Sequence, residues 1–100
     1  MTFKVDRAPA VNHLLRELAK RAKACRIHAA YLDSLRSMVE QLENRPLEWG
    51  DPEYRTKHPG GLICHGIVWP FIVRYAVYET LQVVIIFNIT PLPNTPLANP

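Results

Sequence analysis

Apolar residues recur at Val11, Leu14, Leu15, Leu18, Ala19, Ala22 and Cys25, with Arg16, Glu17, Lys20 and Lys23 largely off that stripe. The spacing predicts an amphipathic helix, and Pro9 suits its first turn, where a missing N–H costs nothing. A second stretch places Ala29, Leu32, Leu35, Met38, Val39 and Leu42 on one face and Asp33, Arg36, Glu40 and Glu43 among its polar positions. No Gly or Pro separates the two stretches. A continuous helix would exceed the usual globular length, so a break is expected near Cys25–His28. Pro46 ends the second helix close to Asn44, because the residue before a proline avoids the α region. Residues 3–5 alternate and suggest a short first strand.

Beyond Pro46 the period changes from helical to alternating. Gly50-Asp51-Pro52 and Pro59-Gly60-Gly61 read as turns, with a short edge strand from Tyr54 to Lys57 between them. Leu62 to Val68 reads as a strand. Phe71 to Tyr78 is a stronger one, setting Phe71, Val73, Tyr75 and Val77 against Ile72, Arg74, Ala76 and Tyr78. After the polar turn Glu79-Thr80, Gln82 to Thr90 is apolar on both faces and so reads as an interior strand. The prolines from Pro91 to Pro100 end regular structure, predicting an extended or disordered tail. The class is therefore α+β: an N-terminal helical hairpin packed on an antiparallel β-meander, with a single domain over residues 1–93 and a Pro-rich tail over 94–100.

A chain of 100 residues, 48% hydrophobic and 21% charged, has the balance of one globular domain. Its net charge of +3 permits contact with nucleic acid or an acidic protein and requires neither. Arg7, Arg16, Lys20, Arg21, Lys23 and Arg26 crowd the first helical stretch, as a phosphate- or acid-binding face or simply as a solvated one. Residues 33–53 are acid-rich, and this lopsidedness would help self-association or orient a partner. Two cysteines, Cys25 and Cys64, are too few for a disulfide scaffold. The first residues lack a signal-peptide pattern, and the longest apolar run, Val83 to Phe87, is too short to span a bilayer. The expected compartment is cytoplasmic, with no membrane contact and reduced thiols. Cys64 and His65 are neighbours on a strand and point to opposite faces, which argues against a shared metal. No zinc spacing and no phosphate-cradling Gly-rich loop occurs, so no cofactor is expected.

Several segments resemble the RelE/ParE toxin superfamily of type II toxin–antitoxin systems. Leu42-Glu43-Asn44-Arg45-Pro46 is similar to the family's close of the second helix, and Gly50-Asp51-Pro52-Glu53-Tyr54 to its linker into the sheet. The run Pro70 to Val77 resembles its strand ending in Tyr-x-Val, and Val83-Val84-Ile85-Ile86-Phe87 its following core strand. The resemblance spans roughly residues 3–93. It implies an N-terminal strand and helical hairpin before an antiparallel sheet, and a toxin neutralised by a cognate antitoxin. It also implies a target, either mRNA cut on the ribosome or DNA gyrase.

RNA cleavage requires a deprotonated 2′-hydroxyl, a stabilised phosphorane and a protonated leaving oxygen. The arginine that the family places three residues before the Tyr-x-Val tyrosine is here Ile72. The family's basic pair after the last strand falls on Pro91-Leu92, and no tyrosine follows Tyr78. The usual site is thus not reproduced. Arg74 lies one pleat beyond Ile72 on the same face, about 7 Å away, with Tyr78 on that face too. Arg55, Lys57 and His58 belong to the preceding segment. Arg74, Tyr78, Lys57, Arg55 and His58 are therefore the candidate substitute catalytic set; the plain alternative is a solvated strand arginine beside a tyrosine covering apolar surface. Tyr75 alternates with core positions and is read as core, its hydroxyl reaching a rim. Two further readings remain: a catalytically silent protein of the same fold that only binds a partner, and an unrelated interaction domain that forms a homodimer through a sheet edge.

Overall fold

Two prolines frame the helical half of the chain. Pro9 opens the first helix and Pro46, one residue past the end of the second, opens a short third, as their fixed φ and missing N–H favour. A computed structural model of the protein describes residues 2–57 and 60–98. Its elements are β1 (Lys4–Arg7), α1 (Pro9–Ala24), α2 (His28–Asn44), α3 (Pro46–Trp49), β2 (Asp51–Arg55), β3 (Leu62–Val68), β4 (Phe71–Tyr78) and β5 (Val83–Pro91). No helix among the described residues is long and apolar enough to cross a membrane.

The break between α1 and α2 falls in the expected interval, and its mechanism is a left-handed residue. Arg26 has φ 60, the Ile27 N–H donates to the Ala22 carbonyl at 2.9 Å and the Arg26 N–H to that of Lys23 at 3.2 Å. This pattern closes a helix with its final carbonyls satisfied, and it normally employs glycine. With arginine in that position the sequence carried no visible punctuation.

The expected antiparallel meander is correct for four strands, but the sheet is mixed. Its order is β1-β5-β4-β3-β2, with β1 parallel to β5 at one edge. A parallel neighbour needs a long crossover, which the helices between β1 and the meander supply. The edge strand β2 begins at Asp51 rather than Tyr54; Pro52 is tolerated because an edge strand leaves one side unpaired. β5 is interior, between β1 and β4, as its two-sided apolar sequence requires. The extended or disordered tail expected from its prolines is a further correction. Leu97 is completely buried in the core cluster, Thr95 Oγ1 donates to the Leu92 carbonyl at 2.6 Å, and the Cys25 thiol donates to the Pro96 carbonyl at 3.4 Å. One apolar side chain among prolines is enough to dock the segment.

Phe71, Val73, Tyr75 and Val77 are all buried against the helical layer. Tyr31 of α2 meets Phe71 edge-on, with ring centroids 6.0 Å apart, and its hydroxyl donates to the Leu15 carbonyl of α1 at 3.1 Å. Burial pushes the Tyr31 hydroxyl up to about 12. The Tyr75 hydroxyl donates to the Pro46 carbonyl at 2.7 Å, and burial raises its pKa as well. Trp49 stacks beside Tyr75, with centroids 6.0 Å apart, and covers Gly66, where a Cβ would enter the indole ring.

Removing the Tyr75 hydroxyl strands a buried carbonyl, so Tyr75→Phe should cost about 1–3 kcal/mol in urea denaturation. A neutral result would mean that water replaces the bond. Arg26→Gly, which relieves the left-handed position, should raise stability by about 1 kcal/mol in the same assay.

Candidate functional site on the open face of the sheet

The face of the sheet opposite the helices is built by strand alternation. In β4 it takes Ile72, Arg74 and Tyr78; cross-strand register adds Ile67 and His65 from β3 and Asp51 from β2. Two bulges then aim further side chains. The register of β2 against β3 shifts between Pro52 and Tyr54, which places Glu53 beside Arg74. In β5, Arg74 faces Asn88 whereas Tyr75 faces Ile86, so Phe87 is the extra residue; its ring lies under Arg74, 5.2 Å from the guanidinium carbon.

Arg74 is held by a two-pronged ion pair. Its Nε donates to Glu53 Oε2 at 3.0 Å and its Nη2 to Glu53 Oε1 at 3.1 Å. The carboxylate raises the guanidinium pKa still further, so Arg74 remains charged. His65 sits between two acids, with Nδ1 3.6 Å from Glu53 Oε2 and Nε2 3.8 Å from Asp51 Oδ2. Asp51 and Glu53 set two carboxylates against the one guanidinium of Arg74. A phosphate would be repelled here unless Glu53 moved, and the arginine that would receive it is already satisfied. Among the described residues no group of three His, Cys, Asp or Glu side chains is placed to hold a metal ion.

Around this cluster the face exposes large apolar side chains. Ile67 is 59% exposed and Tyr54 54%. Trp69, in the turn between β3 and β4, is also exposed, and its carbonyl accepts the Ser34 hydroxyl of α2 at 2.6 Å. The combination suits capture of a protein surface better than acid–base chemistry on RNA.

The five residues expected to form a catalytic set are dispersed. Arg74 lies at the centre of the open face. Tyr78 shares that face but sits four residues along, about 13 Å away by strand rise, with its ring over Gly61. Arg55 pairs in register with Leu62, whose partner Val77 faces the helices, and it makes its own ion pair with Glu79 at 3.2 Å. Lys57 is exposed in the bend after β2, and His58 lies outside the described residues. The residues that do surround Arg74 are Glu53, His65, Tyr54 and Phe87, with Asp51 beyond His65. Alternation alone could place His65 once the β3–β4 register was known; nothing in the sequence marks the two bulges that deliver Glu53 and Phe87.

Cys64 points the other way from His65, as expected, and is fully buried, which raises its pKa. No protein-family model matches the chain, and no curated protein does either.

The Arg74–Glu53 pair is exposed, so Glu53→Ala should cost less than about 1 kcal/mol of stability. It should nevertheless speed modification of Arg74 by phenylglyoxal, followed by peptide mass mapping. An unchanged rate would show that Arg74 is not engaged by Glu53 in solution.

Proposed function

We propose that this chain is a growth-inhibiting toxin of the RelE/ParE type, restrained by a cognate antitoxin and acting on its target by binding rather than by cutting RNA. The observation that supports this reading is the element order. An N-terminal strand and a helical hairpin precede four antiparallel strands, with Phe71 and Tyr75 of β4 buried against the helices. That is the arrangement the resemblance implies.

The chemistry of the open face weighs against cleavage. Ile72 stands where the family has an arginine, the nearest arginine is neutralised by Glu53, and no tyrosine follows Tyr78. Of the two target classes, DNA gyrase therefore fits better than mRNA on the ribosome. A second reading, a silent member of the fold that only binds a partner, draws support from the exposed apolar residues Tyr54 and Ile67 on the same face.

Induced expression should arrest growth, and the purified protein should inhibit gyrase supercoiling while leaving mRNA intact in a translation reaction. Cut mRNA would restore the nuclease reading. Unimpeded growth with an unaffected gyrase would leave the silent binding module.

A further inference from the structure

The open face of the sheet carries apolar side chains that the core does not use, and register sets them in rows across the strands. Tyr54, Ile63, Ala76 and Ile85 form one row over β2, β3, β4 and β5. Ile63 and Ala76 are buried, 6% and 4% exposed, yet neither belongs to the core cluster beneath the helices. The row is therefore a second, thinner apolar layer on the side of the sheet away from the helices. Ile67 and Ile72 pair in another apolar row further along the same two strands. Between the two lies a polar row of Asp51, His65, Arg74 and Asn88.

The two bulges make this face nearly symmetric about a line between β3 and β4. From Asp51 to Tyr54 the chain takes three steps where β3 takes two, from His65 to Ile63. From Asn88 to Ile85 it again takes three where β4 takes two, from Arg74 to Ala76. Both outer strands thus carry their extra residue, Glu53 and Phe87, at the same level. A two-fold axis along that line, between two copies laid face to face, exchanges β3 with β4 and β2 with β5 and keeps every row in step.

We propose that a second copy of this chain covers the open face, as a two-fold dimer about that axis. Tyr54 of one copy meets Ile85 of the other, Ile67 meets Ile72, and the bulky Ile63 meets the small Ala76, as packed sheets require. Polar groups match as well. The Asp51 side chain is 87% exposed and is the carboxylate left over once Glu53 has taken Arg74. It meets Asn88, whose oxygen already accepts the Ile89 N–H at 3.0 Å, which leaves the amide nitrogen to donate. Arg74 meets His65, a planar cation on a ring. The axis also runs through the β3–β4 turn and brings together the exposed Trp69 of both copies. Other occupants fit worse. Nucleic acid would meet two carboxylates, and an unrelated protein would have to reproduce a spacing that a second copy carries already. Association by this face goes beyond the toxin reading and does not rest on it, since it stands whether or not the chain arrests growth.

Sedimentation equilibrium of the full chain tests it. Strands about 4.8 Å apart, with rows spanning roughly five residues at about 3.3 Å each, give a footprint of roughly 300 Å² per copy. That is small for a specific interface, so a reversible dimer is expected with a dissociation constant on the order of 100 μM. Ile67→Glu, at an exposed position, should keep the wild-type circular dichroism and weaken the dimer at least about tenfold. The register has its own test. Asn88→Asp keeps the acceptor for the Ile89 N–H but sets a carboxylate against Asp51 of the second copy, so it should weaken the dimer about threefold, and Asp51→Asn in the same chain should restore it. A chain that stays monomeric up to about 1 mM would overturn the proposal. So would a dimer indifferent to Ile67→Glu, which would place the association on another surface, or a loss in Asn88→Asp that Asp51→Asn does not recover.

Discussion

The hydrogen bond from the Tyr75 hydroxyl to the Pro46 carbonyl joins the middle of the sheet to the end of the helical hairpin, inside the core. A buried carbonyl at a proline needs a partner, and here the phenol is the one that reaches it. The bond fixes where α3 lies, and α3 in turn lays Trp49 across Gly66 and against Tyr75. The close approach also dictates Gly50, where a Cβ would run into the Tyr75 hydroxyl and the His65 carbonyl. With Gly50 fixed, β2 must begin at Asp51. Glu53 then meets Arg74 across two strands, so the electrostatics of the open face depend on a contact made on the buried one.

The charges divide the molecule functionally. Arg74 is the one arginine in the meander beyond β2, and a glutamate and an aromatic ring already satisfy it. An exposed pair of this kind contributes little to stability. Its effect is to cancel a charge on a face that otherwise offers isoleucine and tyrosine to solvent. At the other end of the sheet Asp6 and Arg7 share the lining of an apolar cavity, and among the described residues neither Arg7 nor Arg16 has an ion-pair partner.

Much of this was legible in the sequence. Periodicity located both helices, Pro46 located the end of α2, and alternation in β4 separated Phe71, Val73, Tyr75 and Val77 from Arg74. The interior position of β5 followed from Val83 to Ile86 being apolar on both faces. What escaped has physical causes. Arg26 performs a glycine's part, so composition did not mark the turn. The bulges at Glu53 and Phe87 depend on a register that only the paired strand defines. Leu97 looked like part of a proline tail because burial of one side chain depends on the surface it meets, here near the end of α1. Most instructive is the candidate site: sequence proximity grouped Arg55 with Arg74, but the pleat sends them to opposite sides.

The two edges of the sheet are protected by different means. A sheet edge left unpaired invites association, and chains commonly guard it with proline, a bulge or charge. This chain spends two of those devices on β2, the edge next to the apolar open face, where indiscriminate strand pairing would be most damaging. On β1 it uses the third: Lys4, Asp6 and Arg7 put charge along the strand, and the helices cover one of its faces. Each edge is thus protected against indiscriminate strand pairing, one by an interrupted backbone and the other by charge.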